Sequence, residues 1–230
     1  MTRCGLSWVT TLRRTHAVVL TSANTPRPCL HIAGPSSGKT RVVAARVAHL
    51  IASGAAPESL LVITFTRRAA GELKERLKQL LGPVVAGRVR PCTCHSLCLN
   101  LLRHQQHENF CAGVNGLERL ASPTLQTLRI NTTIAADQLM DFDDLHNARA
   151  LLQENPMVQK KVHGRWRHIL VDESQDTNLC QFELVQQLTS PGSSLFMVGD
   201  PDQAIYGFRG AKPRLLSTVK AHRTDVHVCN

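Results

Sequence analysis

Residues 29–40 read Cys29-Leu30-His31-Ile32-Ala33-Gly34-Pro35-Ser36-Ser37-Gly38-Lys39-Thr40, and this stretch decides the architecture. Cys29 to Ala33 is a short apolar strand candidate. Gly34 to Gly38 is a turn of small residues. From Lys39 to Ala52 the apolar residues Val42, Val43, Val47, Leu50 and Ile51 recur at helical spacing. A strand that passes through a small-residue turn into a helix makes a cradle for phosphate. Backbone N–H groups curl around the oxygens, and the helix N-terminus adds a favourable dipole. Ala33, Gly34, Pro35, Ser36, Ser37, Gly38, Lys39, Thr40 and Arg41 are therefore nucleotide-binding candidates. Lys39 has the reach for β- and γ-phosphates, and the Thr40 hydroxyl is a natural ligand for Mg²⁺. The bland alternative is a chance turn before a helix.

Working outward, Leu60 to Thr64 is a second apolar run rich in β-branched residues. Arg67 to Leu81 is an amphipathic helix closed by Gly82-Pro83. Val89 to Thr93 is a third strand candidate despite Pro91, and Ser96 to Arg103 reads as a helix. His168 to Val171 and Leu195 to Val198 are two more buried-type strands, with Gln181 to Leu188 helical between them. Apolar strands alternating with helices predict an α/β fold whose parallel sheet is covered on both faces.

Arg167-His168-Ile169-Leu170-Val171-Asp172-Glu173 is an apolar strand ending in two acids. The C-terminal end of a strand is where ligands bind in open α/β sheets. Asp172 is placed to hold Mg²⁺, directly or through water. Glu173 is placed to orient and deprotonate an attacking water. Helix capping explains one of these acids well, but not both.

The chain also carries a set of longer motifs that resembles UvrD/Rep/PcrA-type superfamily 1 DNA helicases. Val171-Asp172-Glu173-Ser174-Gln175-Asp176-Thr177-Asn178 resembles VDEFQDTN of that family. The run from Val198 to Ala211, through Gly199-Asp200-Pro201-Asp202-Gln203 and Tyr206-Gly207-Phe208-Arg209, resembles VGDxDQSIYxFRGA. Thr64-Phe65-Thr66-Arg67-Arg68-Ala69-Ala70 resembles TFTNKAA, and Thr93-Cys94-His95-Ser96 resembles TFHS. Met140 to Leu145 is similar to the acidic segment before the Asp-Glu strand.

The resemblance covers residues 29–215 and implies a RecA-like P-loop NTPase sheet with a small helical insertion. It divides the chain into a basic segment 1–28, a first sheet part 29–103, a reduced helical insertion 104–155, and a second sheet part 156–230. The implied activity is ATP hydrolysis coupled to movement on single-stranded or partly duplex DNA, with 3′ to 5′ polarity. The implied cofactor set is ATP with Mg²⁺. Gln203 would contact the γ-phosphate. Phe65, Tyr206 and Phe208 would offer faces for stacked bases, a contact worth roughly 1–3 kcal/mol per base. Thr64, Thr66, His95 and Ser96 would touch the DNA backbone, and Arg209 would bridge the groove and the nucleotide. Each has a plainer alternative: Phe65 as core, Arg67 and Arg68 as a solvated helix start.

The sequence departs from the family pattern in places. Ser36 stands where the phosphate loop has its middle glycine, Ser174 where the motif has Phe, and Cys94 where TFHS has Phe. Between residues 10 and 28 no Gln stands where the family reads adenine. The family's second RecA-like domain, with its arginine finger, has no counterpart in these residues. The expectation is therefore a fragment, a truncated gene model or a degenerate relative. A non-catalytic ATP- and DNA-binding module is the second functional reading.

The bulk chemistry agrees with a polyanionic partner. Lysine and arginine number 27 against 17 acids, for a formal charge of +10. The bland alternative is a basic surface that serves solubility. No run of about 18 apolar residues predicts a membrane-crossing helix. No acid precedes Glu58, and the Arg-, Ser- and Thr-bearing residues 1–28 read equally as an organelle transit peptide or a plain basic lead-in. The expected location is intracellular, in nucleus or organelle. Eight cysteines in such a chain read as reduced thiols. Cys92, Cys94, His95, Cys98, His104, His107 and Cys111 crowd together, which raises a remote zinc-binding alternative, although their spacing fits no familiar zinc module.

Overall fold

The computed structural model describes residues 29–34, 37–111, 142–203 and 227–229. The basic segment 1–28, Pro35, Ser36, most of the expected insertion, and Tyr206, Phe208 and Arg209 lie outside the described residues. So do Met140 and Asp141.

Among the described residues, six strands form one sheet in the order β3-β2-β4-β5-β1-β6. They are β1 (Cys29–Ile32), β2 (Leu60–Thr64), β3 (Arg90–Thr93), β4 (His168–Val171), β5 (Ser194–Gly199) and β6 (His227–Cys229), and every pairing is parallel. The helices are α1 (Lys39–Ala52), α2 (Arg67–Leu81), α3 (Pro83–Arg88), α4 (Cys94–Cys111), α5 (Phe142–Glu154), α6 (Pro156–Arg165) and α7 (Leu179–Leu188).

Strand periodicity splits the core in two. Leu61, Ile63, Ile169, Val171, Leu195 and Met197 point to one face, under α4, α5, α6 and α7. Cys29, Leu60, Val62, Leu170, Phe196 and Val198 point to the other, under α1, α2 and α3. Continuous apolar strands are what a sheet buried on both faces requires. Arg46 is an exception on the second face: it is 2% exposed, and its guanidinium lies 5.0 Å from the centre of the Phe196 ring.

Topology positions the site. From β1 the chain crosses over to β2, and β4 and β5 later fill the gap between them. The C-terminal ends of β1, β5, β4 and β2 therefore stand side by side at the switch point. Asp172 N–H donates to the Ile63 carbonyl at 2.8 Å, and Ala33 N–H donates to the Gly199 carbonyl at 3.1 Å. These bonds extend the ladders past the strand ends into the loops that carry the motifs.

Several element limits differ from the sequence reading. α3 begins where Gly82-Pro83 was read as a stop: Gly82 takes φ 79°, and Pro83 opens the new helix. α4 begins at Cys94 rather than Ser96, because the Thr93 hydroxyl accepts from Ser96 N–H at 3.2 Å. α7 begins at Leu179 rather than Gln181, behind a reciprocal capping pair. The Asn178 side chain accepts from Gln181 N–H at 2.9 Å, and the Gln181 side chain accepts from Asn178 N–H at 3.0 Å. Replacing Asn178 with Ala is expected to lower the unfolding free energy by about 1 kcal/mol, read from urea denaturation. A change inside error would show that α7 needs no cap.

α6, over Pro156–Arg165, was not anticipated as a helix. Asn155 caps it, its side chain accepting from Val158 N–H at 3.2 Å. α4 is continuous across residues 103 and 104. Leu145, Ala148 and Leu152 of α5 join the same core as the sheet.

Candidate nucleotide and DNA site

The phosphate turn is shaped by its backbone. Ser37 N–H donates to the Gly34 carbonyl at 3.3 Å, and Gly38 takes φ 83°, the left-handed region that glycine enters without strain. Gly38 is thus the entry to α1, and its carbonyl accepts from Val42 N–H at 3.0 Å. Ala33 is buried, Ser37, Gly38 and Arg41 are exposed, and Thr40 is half-buried.

Lys39 opens α1 and is 7% exposed. Its ammonium donates to Gln203 Oε1 at 2.8 Å and lies 3.8 Å from Asp200 Oδ2. The turn after β5 is tied tightly. Asp200 Oδ1 accepts from Asp202 N–H at 3.1 Å, and the Asp200 carbonyl accepts from Gln203 N–H at 3.0 Å. Two residues 164 positions apart in sequence, Lys39 and Gln203, are therefore in direct contact.

Asp172 and Glu173 follow β4 at the same edge. Asp172 is 2% exposed, and Oδ1 accepts from Glu173 N–H at 3.1 Å. Oδ2 is buried and makes no hydrogen bond of ordinary geometry among the described residues. Burial, and then the charge of Glu173, push this carboxyl up to about 6, with Thr40 and Lys39 only partly offsetting the rise. A buried carboxylate beside the Thr40 hydroxyl is what one face of a Mg²⁺ site would offer. No group of three His, Cys, Asp or Glu side chains is poised for a metal among the described residues. Asp172 and Thr40 are the side chains that would hold such a cation here.

Glu173 takes φ 51°, the one non-glycine residue with positive φ among those described. Such a conformation costs of order 1–3 kcal/mol and persists where surroundings hold it. Here Gln175 Nε2 donates to Glu173 Oε2 at 2.7 Å. Gln175 stands within the Val171 to Asn178 motif, two residues after Glu173.

A cleft along this edge is lined by Thr64, Phe65, His95, Asp172 and Glu173, with Cys94 and Gln181 behind them. Phe65 and His95 are half-buried. Thr64 is 2% exposed, and its hydroxyl donates to the Thr66 carbonyl at 3.1 Å. The Thr66 hydroxyl caps α2 by accepting from Ala69 N–H at 3.0 Å. Ser96 shares a 2.9 Å hydroxyl contact with Thr93. Thr64, Phe65 and His95 are thus the DNA-binding candidates that line the cleft, and the hydroxyls of Thr64, Thr66 and Ser96 make hydrogen bonds within the fold.

Of the Cys/His cluster, the side chains of His104, His107 and Cys111 lie outside the described residues, and His95 lines the cleft. Cys94 and Cys98 are buried in the core, and Cys92 packs against it with its thiol pushed up by burial to about 12.

The model of the UvrD/REP helicase N-terminal domain matches residues 16–120 and 117–223. The chain belongs to this helicase family. It is 33% identical to the ATP-dependent DNA helicase Rep of Escherichia coli over 82% of the chain and 36% of Rep. It is 32% identical to the ATP-dependent DNA helicase UvrD1 of Mycobacterium leprae, over 80% of the chain and 32% of that protein. The Bacillus subtilis helicase PcrA is 33% identical over 81% of the chain and 32% of PcrA. The chain spans about one third of the length of these UvrD/Rep relatives. Its parallel α/β sheet is the RecA-like fold of the UvrD N-terminal domain. No helix among the described residues is long and apolar enough to cross a membrane.

Proposed function

We propose that this chain is the ATP-hydrolysing part of an ATP-dependent DNA helicase that moves along single-stranded DNA, with 3′ to 5′ polarity. The observation that carries the reading is the Lys39–Gln203 contact at 2.8 Å beside Asp172 and Glu173. It joins the phosphate turn to the segment that continues toward Tyr206, Phe208 and Arg209.

The residues Ala33 to Arg41 bind the triphosphate, with N–H groups of the turn on its oxygens and Lys39 leaving Gln203 for the γ-phosphate. Thr40 and Asp172 hold Mg²⁺, which supplies charge stabilisation for the transferring phosphoryl group. Glu173 orients a water and takes its proton as the water oxygen bonds to the γ-phosphorus and the bond to ADP breaks. Gln203, released from Lys39, reads the γ-phosphate. Phe65, Tyr206 and Phe208 stack bases, with His95 and Arg209 at the DNA backbone. In domain terms, 29–103 and 156–230 form the RecA-like unit, with a reduced helical insertion at 104–155. ATP and DNA put the site of action inside the cell. The acid-free residues 1–28 direct attention to nucleus or organelle.

The test is ATP hydrolysis by the purified chain with and without single-stranded DNA, beside Lys39→Ala and Glu173→Gln. Glu173→Gln is expected to keep nucleotide binding and lose roughly 10²–10⁴-fold in turnover, the usual worth of a general base. Lys39→Ala is expected to lose binding as well. Binding without DNA-stimulated turnover in the unsubstituted chain would overturn the hydrolytic reading and leave a non-catalytic ATP- and DNA-binding module.

A further inference from the structure

Gln175 sits in the short 3₁₀ turn Ser174–Asp176 and is 3% exposed. Its side chain is fully engaged in two directions. Nε2 donates to Glu173 Oε2 at 2.7 Å, and Oε1 accepts from Asp200 N–H at 3.0 Å. The chemistry dictates this orientation of the amide. The opposite one would set an oxygen against a carboxylate and an NH₂ against an N–H.

Asp200 begins the turn that ends at Gln203, and Gln203 holds Lys39. One buried amide therefore stands between the acid after β4 and the turn after β5. The Ser174 hydroxyl, the Gln175 amide oxygen and the Gln175 backbone nitrogen also crowd the position a Cβ on Gly199 would take, so the two loops are closely packed as well as hydrogen-bonded.

We propose that Gln175 is a positioning residue that ties the Glu173 carboxylate to the Asp200–Gln203 turn. Movement of Gln203 when Lys39 is drawn to a γ-phosphate is then felt at Glu173, and the orientation of the acid depends on the turn's position. The same amide helps to hold Glu173 in its left-handed conformation. This proposal rests on the hydrolytic reading for its consequence in turnover, but the link itself is a property of the folded chain.

The test uses the full chain and the variants Gln175→Met and Gln175→Glu. Met has similar length and forms neither hydrogen bond. Glu keeps an oxygen for Asp200 N–H and loses the donor to Glu173. Amide hydrogen exchange over residues 199–203 is measured without nucleotide. Affinity for a fluorescent ATP analogue and kcat for DNA-stimulated hydrolysis are measured alongside. Gln175→Met is expected to speed exchange of the Asp200 amide about tenfold or more and to lower kcat about tenfold or more, with nucleotide affinity within about threefold. Gln175→Glu is expected to keep Asp200 protected while losing a similar factor in kcat. Unchanged exchange in Gln175→Met would overturn the link. Affinity and kcat falling together with thermal stability would also overturn it, since a packing role alone would do that. If the unsubstituted chain fails to turn over, the hydrolytic reading fails by itself, and exchange in Gln175→Met still decides the link.

Discussion

Replacing Gly199 with alanine is expected to cost the fold about 3 kcal/mol and to disorganise both carboxylate loops at once. A Cβ at this position would stand 2.4 Å from Ser174 Oγ, 2.9 Å from Gln175 Oε1 and 3.1 Å from the Gln175 backbone nitrogen. The two Gln175 atoms do not recede cheaply. Gln175 is bonded on both sides, and Gly199 is held in register with Ile32 while its carbonyl accepts from Ala33 N–H. Relief by moving β5 would break the ladder beside the phosphate turn. Relief by moving the 3₁₀ turn would release Glu173. Urea denaturation at unchanged m-value measures the cost. Ser174 supplies an internal control. Its hydroxyl is buried with no hydrogen-bond partner among the described residues, so Ser174→Ala alone is expected to be close to neutral or mildly stabilising. Combined with Gly199→Ala it removes the worst overlap, and the pair is expected to be non-additive by about 1 kcal/mol or more. Gly199→Ala within about 0.5 kcal/mol of the parent, the range of an ordinary surface change, would show that the two loops yield freely.

The fold was legible where burial dictates composition. Leu60 to Ile63 and Ile169 to Val171 are apolar without interruption because both sides of each strand are covered. Local capping signals were legible in principle but hidden inside longer motifs. Asn178 closes VDESQDTN as a letter of a motif, and in space it forms a capping pair with Gln181 that moves the start of α7 back to Leu179. Thr93 was read as part of TCHS and caps α4. Gly82-Pro83 reads as a stop, yet the same two residues both end α2 and open α3.

Long-range pairing was not legible. Nothing local in residues 29–40 or 199–203 says that Lys39 touches Gln203, because that contact depends on β5 lying beside β1 in the sheet order. Gln175 was passed over for the same reason. As one residue of the polar run Glu173 to Asn178 it has no signature of its own, and its distant partner, Asp200 N–H, comes within reach only when β4 and β5 pair. Gly199 reads as an ordinary strand-end glycine until the Ser174–Gln175 turn is placed beneath it.

Asp172→Asn is expected to make the metal-free protein more stable at pH 7.5, while abolishing Mg²⁺-dependent hydrolysis. The sign follows from the direction of the carboxyl's shift. Its value in the folded chain is raised from 3.8 to about 6, so the fold favours the protonated acid. The associated stability is fully present below the unfolded value and is lost as pH rises through about 6. Above that, the folded chain carries an ionised, buried Asp172 next to Glu173. Asparagine is neutral throughout, keeps an oxygen for Glu173 N–H, and removes the like-charge contact. In EDTA at pH 7.5 the gain is expected to be roughly 1–3 kcal/mol, and it should shrink steadily between pH 6.5 and about 4. With saturating Mg²⁺-ATP the order should reverse, because a cation held by Asp172 would favour the charged acid and stabilise only the chain that can hold it. Denaturation curves with EDTA and with Mg²⁺-ATP, for parent and variant, read all of this. A variant less stable than the parent in EDTA at pH 7.5 would show that Asp172 is anchored by the fold itself, whereas a gain only in EDTA identifies a carboxylate kept at a cost in stability for the cation it binds.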